Sequence, residues 1–135
     1  MTTKTQDIVE EIAKTLNSSH RAVAGLMGVS PHTLSNNKER DVRELTPRTR
    51  DRLLPLYRIV VEMLGSYRPE MIHSVLHLHA FEDRRGRKDS VVSALQQDKY
   101  ESEMLEQIAG LALKQYEEKR RKNLIELPDV KSATV

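Results

Sequence analysis

The sequence predicts an all-α protein, a helix-turn-helix domain followed by a helical C-terminal bundle. Three observations predict it. Apolar residues recur three and four apart along most of the chain, the spacing of one helix face, and strand-like alternation is nearly absent. Stop-and-cap punctuation separates these stripes at Asn17-Ser18-Ser19, Gly28, Ser30-Pro31, Thr46-Pro47 and Gly65-Ser66. A short apolar helix is also followed, across a glycine, by a second helix whose surface is polar and free of acids.

The first helix is expected from near Thr5, with Ile8, Ile12 and Leu16 four apart and Val9 and Ala13 beside them. Ser18 or Ser19 caps the second, "HRAVAGLM", residues 20 to 27. Val23, Leu26 and Met27 are its apolar contacts, and Ala22 and Ala24 let another helix cross closely. Gly28 stands where a left-handed residue ends a helix. Ser30 then reads as an N-cap and Pro31 as the first position of the third helix. "RDVRELTP" is a connection with Val42 and Leu45 directed at the core. Thr46-Pro47 opens a fourth helix, the most apolar segment, carrying Leu53, Leu54, Leu56, Tyr57, Ile59, Val60, Met63 and Leu64. Pro55 removes a backbone donor there and is expected to kink or split the helix near Leu54.

A fifth helix is expected from near Pro69, with Met71, Ile72, Val75, Leu76 and Leu78 inward. "EDRRGRK" reads as an exposed turn around Gly86, and Asp89 or Ser90 as the start of a short helix "SVVSALQQ". A long final helix carries the stripe Met104, Leu105, Ile108, Leu111 and Ala112 until Pro128 stops it. Residues 1–46 are thus expected to form the helix-turn-helix domain, 47–127 a helical dimerisation or partner-binding region and 128–135 a frayed tail.

Composition bounds what such a chain can be. Its 135 residues suit one domain or two small helical modules, and aromatics at 4% force an aliphatic core. With no cysteine there is no disulfide, no thiolate zinc site and no cysteine nucleophile, which fits a reducing cytosol. The N-terminus lacks the apolar run of a signal peptide, and no stretch approaches membrane-spanning length, so a soluble, cytoplasmic protein is expected. The net charge of +2 is small, but its distribution is informative. From Ile12 to Lys38 there is no Asp or Glu, while Lys14, Arg21 and Lys38 are present, a favourable face for a polyanion.

A helix-turn-helix imposes a pattern. It needs a small residue where the helices touch, a glycine in the turn, an apolar residue after it and another inside the recognition helix. Here these are Ala24, Gly28, Val29 and Leu34. The phrase "GVSPHTLSNNKER", residues 28 to 40, is similar to the Gly-Val-Ser run of Xre/Cro-type helix-turn-helix regulators of bacteria and phages. Asn37 departs from that pattern, standing where the family places a large apolar residue. The resemblance implies a base-reading face of His32, Thr33, Ser35, Asn36 and Asn37, since asparagine bonds adenine through two atoms and hydroxyls are adaptable. Ser19, Arg21, Lys38 and Arg40 would hold phosphates and set register. The alternative is a plain helical hairpin whose polar face is only solvated.

"LTPRTRDRLLPLYRIVVEMLG", residues 45 to 65, is similar to the linker helix of Xre-type antitoxins with a ParS-like toxin-binding domain, and "SVVSAL…MLEQI" resembles that family's closing helices. The family's Trp-Leu and Gly-Gly signatures are missing. This resemblance implies that the C-terminal half mediates dimerisation or captures a protein partner, a toxin or a polymerase. Met104, Leu105, Ile108 and Leu111 are the expected seam of a homodimer, although the same stripe equally suits packing inside one subunit.

Other constellations carry less. His73 and His77 are four apart, a spacing zinc uses, with His79 nearby. No metalloprotease glutamate or cysteine accompanies them, so no metal is expected, and an interface tuned by protonation is the better account. Arg84 to Lys88 reads either as an exposed turn or as a further phosphate or RNA contact. "EKRRKN" at 118 to 123 reads as a solvated helix end. No nucleophile with its base and no phosphate-binding glycine loop is visible, so no cofactor and no enzymatic activity are expected. The expectation is a DNA-binding transcriptional regulator, dimeric and repressor-like, acting on double-stranded DNA at its own promoter. The rival is a protein-interaction adaptor or antitoxin that works through its C-terminal helices.

Overall fold

The computed structural model describes residues 3–122. The fold is all-α apart from one small hairpin. Among the described residues seven helices follow in order: α1 (Thr5–Leu16), α2 (His20–Met27), α3 (Pro31–Asn36), α4 (Pro47–Tyr57), α5 (Pro69–His77), α6 (Val91–Leu95) and α7 (Ser102–Lys122). A short 3-10 turn, Val42–Glu44, precedes α4, and a π-helical segment, Arg58–Met63, continues it. The expected stop at Pro128, the tail at 128–135 and the end of the second region at 123–127 lie outside the described residues.

Local chemistry accounts for the boundaries. Asn17 takes a left-handed conformation, φ 52°, and ends α1. Of the two candidate caps, Ser19 is the one used, its hydroxyl oxygen accepting the Ala22 amide. Ser30 accepts the His32 amide ahead of Pro31. Ser90 and Ser93 cap α6 reciprocally, each side chain accepting the other's backbone amide.

The interior is one continuous aliphatic cluster from Ile8 to Ala112. Its centre is α4, the π segment and α5, where Leu53, Leu56, Ile59, Val60, Leu64, Ile72, Val75 and Leu76 are all 0% exposed. α1 packs on α2, α4, α5 and the π segment, and α2 also meets α4 and α6. The division expected at residue 46 therefore separates no cores. Val42 and Leu45 plug the seam at 5% exposure each.

Of the kink or split expected near Leu54, the split does not occur. α4 runs through Pro55, whose ring is buried in the core, and Asp51, whose carbonyl loses its partner, is exposed to water. The irregularity appears downstream, where the Leu64 amide donates to the Ile59 carbonyl five residues back at 3.0 Å. Gly65 closes this wide turn, because a Cβ there would run into the Val61 carbonyl oxygen.

Residues 82 to 88 hold the expected exposed turn around Gly86, with a strand pair added on either side. They form the tip of an antiparallel hairpin, β1 (Phe81–Glu82) and β2 (Lys88–Asp89), with Phe81 opposite Asp89 and Glu82 opposite Lys88. Two-residue strands are too short for an alternating pattern to show in sequence. Tertiary contacts hold them: Phe81 meets Tyr100 edge-on at 6.1 Å, and the Ala80 carbonyl accepts from Gln115.

Candidate nucleic-acid interface

α2 and α3 meet through a tight turn built as a Schellman motif. The Gly28 amide donates to the Gly25 carbonyl at 3.1 Å and the Val29 amide to the Ala24 carbonyl at 3.0 Å. Gly28 has φ 71°, which favours glycine, and a Cβ there would lie 2.9 Å from Gln96 Cγ. Ala24 is fully buried where the helices touch, and Leu34, at 5% exposure, is the one buried residue of α3.

The rest of α3 faces outward. His32, Ser35 and Asn36 are exposed and Thr33 is half-buried. Asn37 is placed differently from the rest of the expected reading face. It is the C-terminal cap of α3, and its side-chain amide donates to the Thr33 carbonyl at 2.6 Å. A carbonyl at a helix end needs a donor, and Asn37 supplies one instead of presenting that group to a base. Its departure from the family pattern coincides with this role, since the helix stops where an apolar residue would continue it.

The expected phosphate contacts lie around this face. Ser19, Arg21, Lys38 and Arg40 are exposed. Among the described residues, Arg21, Lys38 and Arg40 enter no ion pair. A groove of about 380 Å³ between α1, α2 and α3 carries Gln6, His20, Arg21, Ser35 and Lys38 on its rim. It brings together Arg21, Ser35 and Lys38 and adds Gln6 and His20, which the sequence reading does not include. His20 was findable, as the first residue after the Ser19 cap, where helix amides and dipole attract anions.

The acids that follow are neutralised locally. Glu39 pairs with Lys4 at 2.9 Å, and that hydrogen bond and charge hold its carboxyl below the usual carboxylate range. Asp41 accepts from Arg43 Nε and Nη2, from the Arg43 amide and from the Thr3 amide, chiefly the Arg43 side chain holding its pKa far below normal.

A second group escaped the sequence reading. Arg52 on α4 is only 3% exposed and uses its whole guanidinium. Nη1 donates to the Met27 carbonyl at 2.8 Å and to Gly28 at 3.4 Å, and Nη2 to the Gln96 carbonyl at 2.9 Å. Nε and Nη2 also hold Asp98 at 2.8 and 2.7 Å, keeping its carboxyl below the usual range. Gln96 Nε2 donates to the Gly25 and Leu26 carbonyls. The last carbonyls of α2 are thus satisfied by the C-terminal half, and the turn is held from outside. One signal was available: Arg52 shares the helical stripe of Leu56, Ile59 and Val60, where a surface arginine would not sit.

The expected partner seam divides. Leu105 and Ile108 are 2% and 0% exposed and belong to the subunit's own core, while Met104 is half-buried and Leu111 is 42% exposed. α7 turns Leu105, Ile108, Ala109 and Ala112 toward α5 and α6, so most of the stripe is unavailable to a second chain. In the histidine cluster, His73 lies 3.2 Å from the Leu16 carbonyl. Desolvation, then His73 and His79, hold His77 below its ordinary pKa. Among the described residues, no group of three His, Cys, Asp or Glu side chains is placed to share a metal ion.

A wider groove, about 910 Å³, lies elsewhere, between α1, α4 and the start of α7. Its walls carry Asp7, Glu10, Glu11, Glu62 and Glu103 against Lys14 and Arg58. Glu11 accepts from the Tyr57 hydroxyl at 2.6 Å, which raises the pKa of that hydroxyl. No helix among the described residues is long and apolar enough to cross a membrane. Comparison with protein-family models, with curated proteins and with solved structures yields no match to this chain.

Proposed function

We propose that this protein is a sequence-specific DNA-binding transcriptional regulator of Xre/Cro-like design, a cytoplasmic dimeric repressor acting on its own promoter and not an enzyme. The observation that carries this reading is the exposed, acid-free face of α2 and α3 around a glycine turn of helix-turn-helix form. α3 enters the major groove, and His32, Thr33, Ser35 and Asn36 read base edges. Ser19, His20, Arg21, Lys38 and Arg40 grip phosphates on either side and set the register. Ser19 still donates its hydroxyl proton while its oxygen caps α2.

A salt titration tests it, comparing binding to random duplex and to the protein's own promoter region. Binding that weakens steeply with salt and strongly prefers the promoter is the expected result. No binding to either duplex at low salt would refute it.

One observation favours a second reading, an adaptor or antitoxin. The acidic groove is unsuited to a polyanion but suited to a basic segment of a protein partner such as a toxin or polymerase. A folded chain that ignores duplex DNA would leave this reading standing.

A further inference from the structure

We propose that the β1–β2 hairpin is a second contact for duplex DNA phosphates, made by Arg84, Arg85 and Arg87 at its tip. The inference rests on α2 and α3 reading a duplex and adds a site that such reading does not require. Arg84, Arg85, Arg87 and Lys88 are all exposed, and among the described residues none of them enters an ion pair. The acid within the tip, Asp83, is occupied. It turns its carboxylate back into the loop, accepting the Arg85 and Arg87 amides at 2.9 Å each. Glu82 stands opposite Lys88 across the ladder. The three arginines are left facing water, and guanidinium groups suit phosphate oxygens.

The tip is also held in place. The Asp83 amide donates to the Arg87 carbonyl at 2.9 Å and the Gly86 amide to the Asp83 carbonyl at 3.0 Å. Arginines on an ordered backbone lose less freedom on binding than arginines on a coil. β2 runs through the Ser90 cap into α6, beyond whose end Gln96 holds the α2 turn. Helical and extended rises along 86 to 96 place the tip within about 25 Å of Gln96. That reach is shorter than one turn of duplex, about 34 Å.

The test uses the full chain carrying Arg84→Gln, Arg85→Gln and Arg87→Gln together, with helicity checked by circular dichroism. Its binding to random duplex and to the promoter duplex is measured against salt beside wild type and Asn36→Ala. The expected result is a logarithmic salt slope shallower by about 0.9 for each phosphate that the variant no longer neutralises, with affinity lowered equally on all sequences. Asn36→Ala should keep the wild-type slope and lose promoter preference. A wild-type slope in the triple variant would overturn the hairpin contact and leave the α2–α3 reading intact. Absence of duplex binding by the wild-type chain would overturn both. Wild-type duplex binding by the triple variant, with its affinity for phosphatidylserine vesicles abolished, would reassign the hairpin to anionic lipid.

Discussion

α3 and α4 open on the same sequence signal and end differently, although only Ser30 caps through its side chain. Each begins with a hydroxyl residue followed by proline, Ser30-Pro31 and Thr46-Pro47. α3 then buries Leu34 alone, whereas α4 buries Thr49, Arg52, Leu53, Pro55 and Leu56. A cap and a proline decide where a helix starts and leave open what it faces. The next turn decides that: Thr33, Ser35 and Asn36 leave α3 little apolar surface, while Leu53, Leu54 and Leu56 draw α4 inward. A helix that contributes so little to the core is free to vary its outer face, and one at the centre is not.

The contrast is easiest to break at the core. Ile108→Asp places a charge where exposure is 0% and should destabilise the fold by more than about 4 kcal/mol, measured by urea unfolding. Leu111→Asp, three residues on and 42% exposed, should leave stability nearly unchanged. If Leu111→Asp nevertheless halves the mass in ultracentrifugation, Leu111 belongs to a dimer contact. Equal effects from the two substitutions would contradict the inward face assigned to α7.

Arg52→Ala comes next, at about 3 kcal/mol, because it strips donors from the buried end of α2. On the proposed function it should also weaken promoter binding at temperatures where the variant is fully folded, since the α2–α3 turn loses its outside support. Full affinity in the folded variant would show that the turn holds itself.

Asn36→Ala sharpens the comparison from the other side. It should cost promoter binding roughly 1–3 kcal/mol while leaving the thermal midpoint unchanged. A lowered midpoint would mean that Asn36 supports the fold.

The smallest expected effect depends on pH. Arg52 holds the Asp98 carboxyl below its ordinary value, so this stabilisation is present above about pH 3.9 and fades as pH falls toward the folded-state value. The stability gap between wild type and Asp98→Asn should therefore narrow from pH 5 to pH 2.5. A constant gap would show that the carboxylate charge contributes nothing.

Much of this fold was legible in local patterns. The limits of α2, the Ser30 and Thr46 starts, the left-handed glycine and the inward faces of α4 and α5 all follow from spacing and capping. The hairpin was not, because two paired residues carry no periodicity. Asn37 misled because its type suits both base reading and helix capping, and only the Thr33 carbonyl decides between them. Leu105 and Ile108 form a clear apolar stripe, but a stripe does not say which surface covers it. The Arg52, Gln96 and Asp98 contacts join residues 24 to 71 positions apart, and no local window contains both partners.

Those last contacts bear on how such a protein can be re-engineered. Arg52 and Gln96 supply donors to the carbonyls of Gly25, Leu26, Met27 and Gly28. A chimera that moved residues 1–46 onto a foreign scaffold would carry α3 intact and strand its hinge. The α1–α3 segment is not a portable cassette. Its smallest transferable unit includes α4 and α6, and exchange at the α3–α4 connection would yield segments that fold loosely on their new bodies.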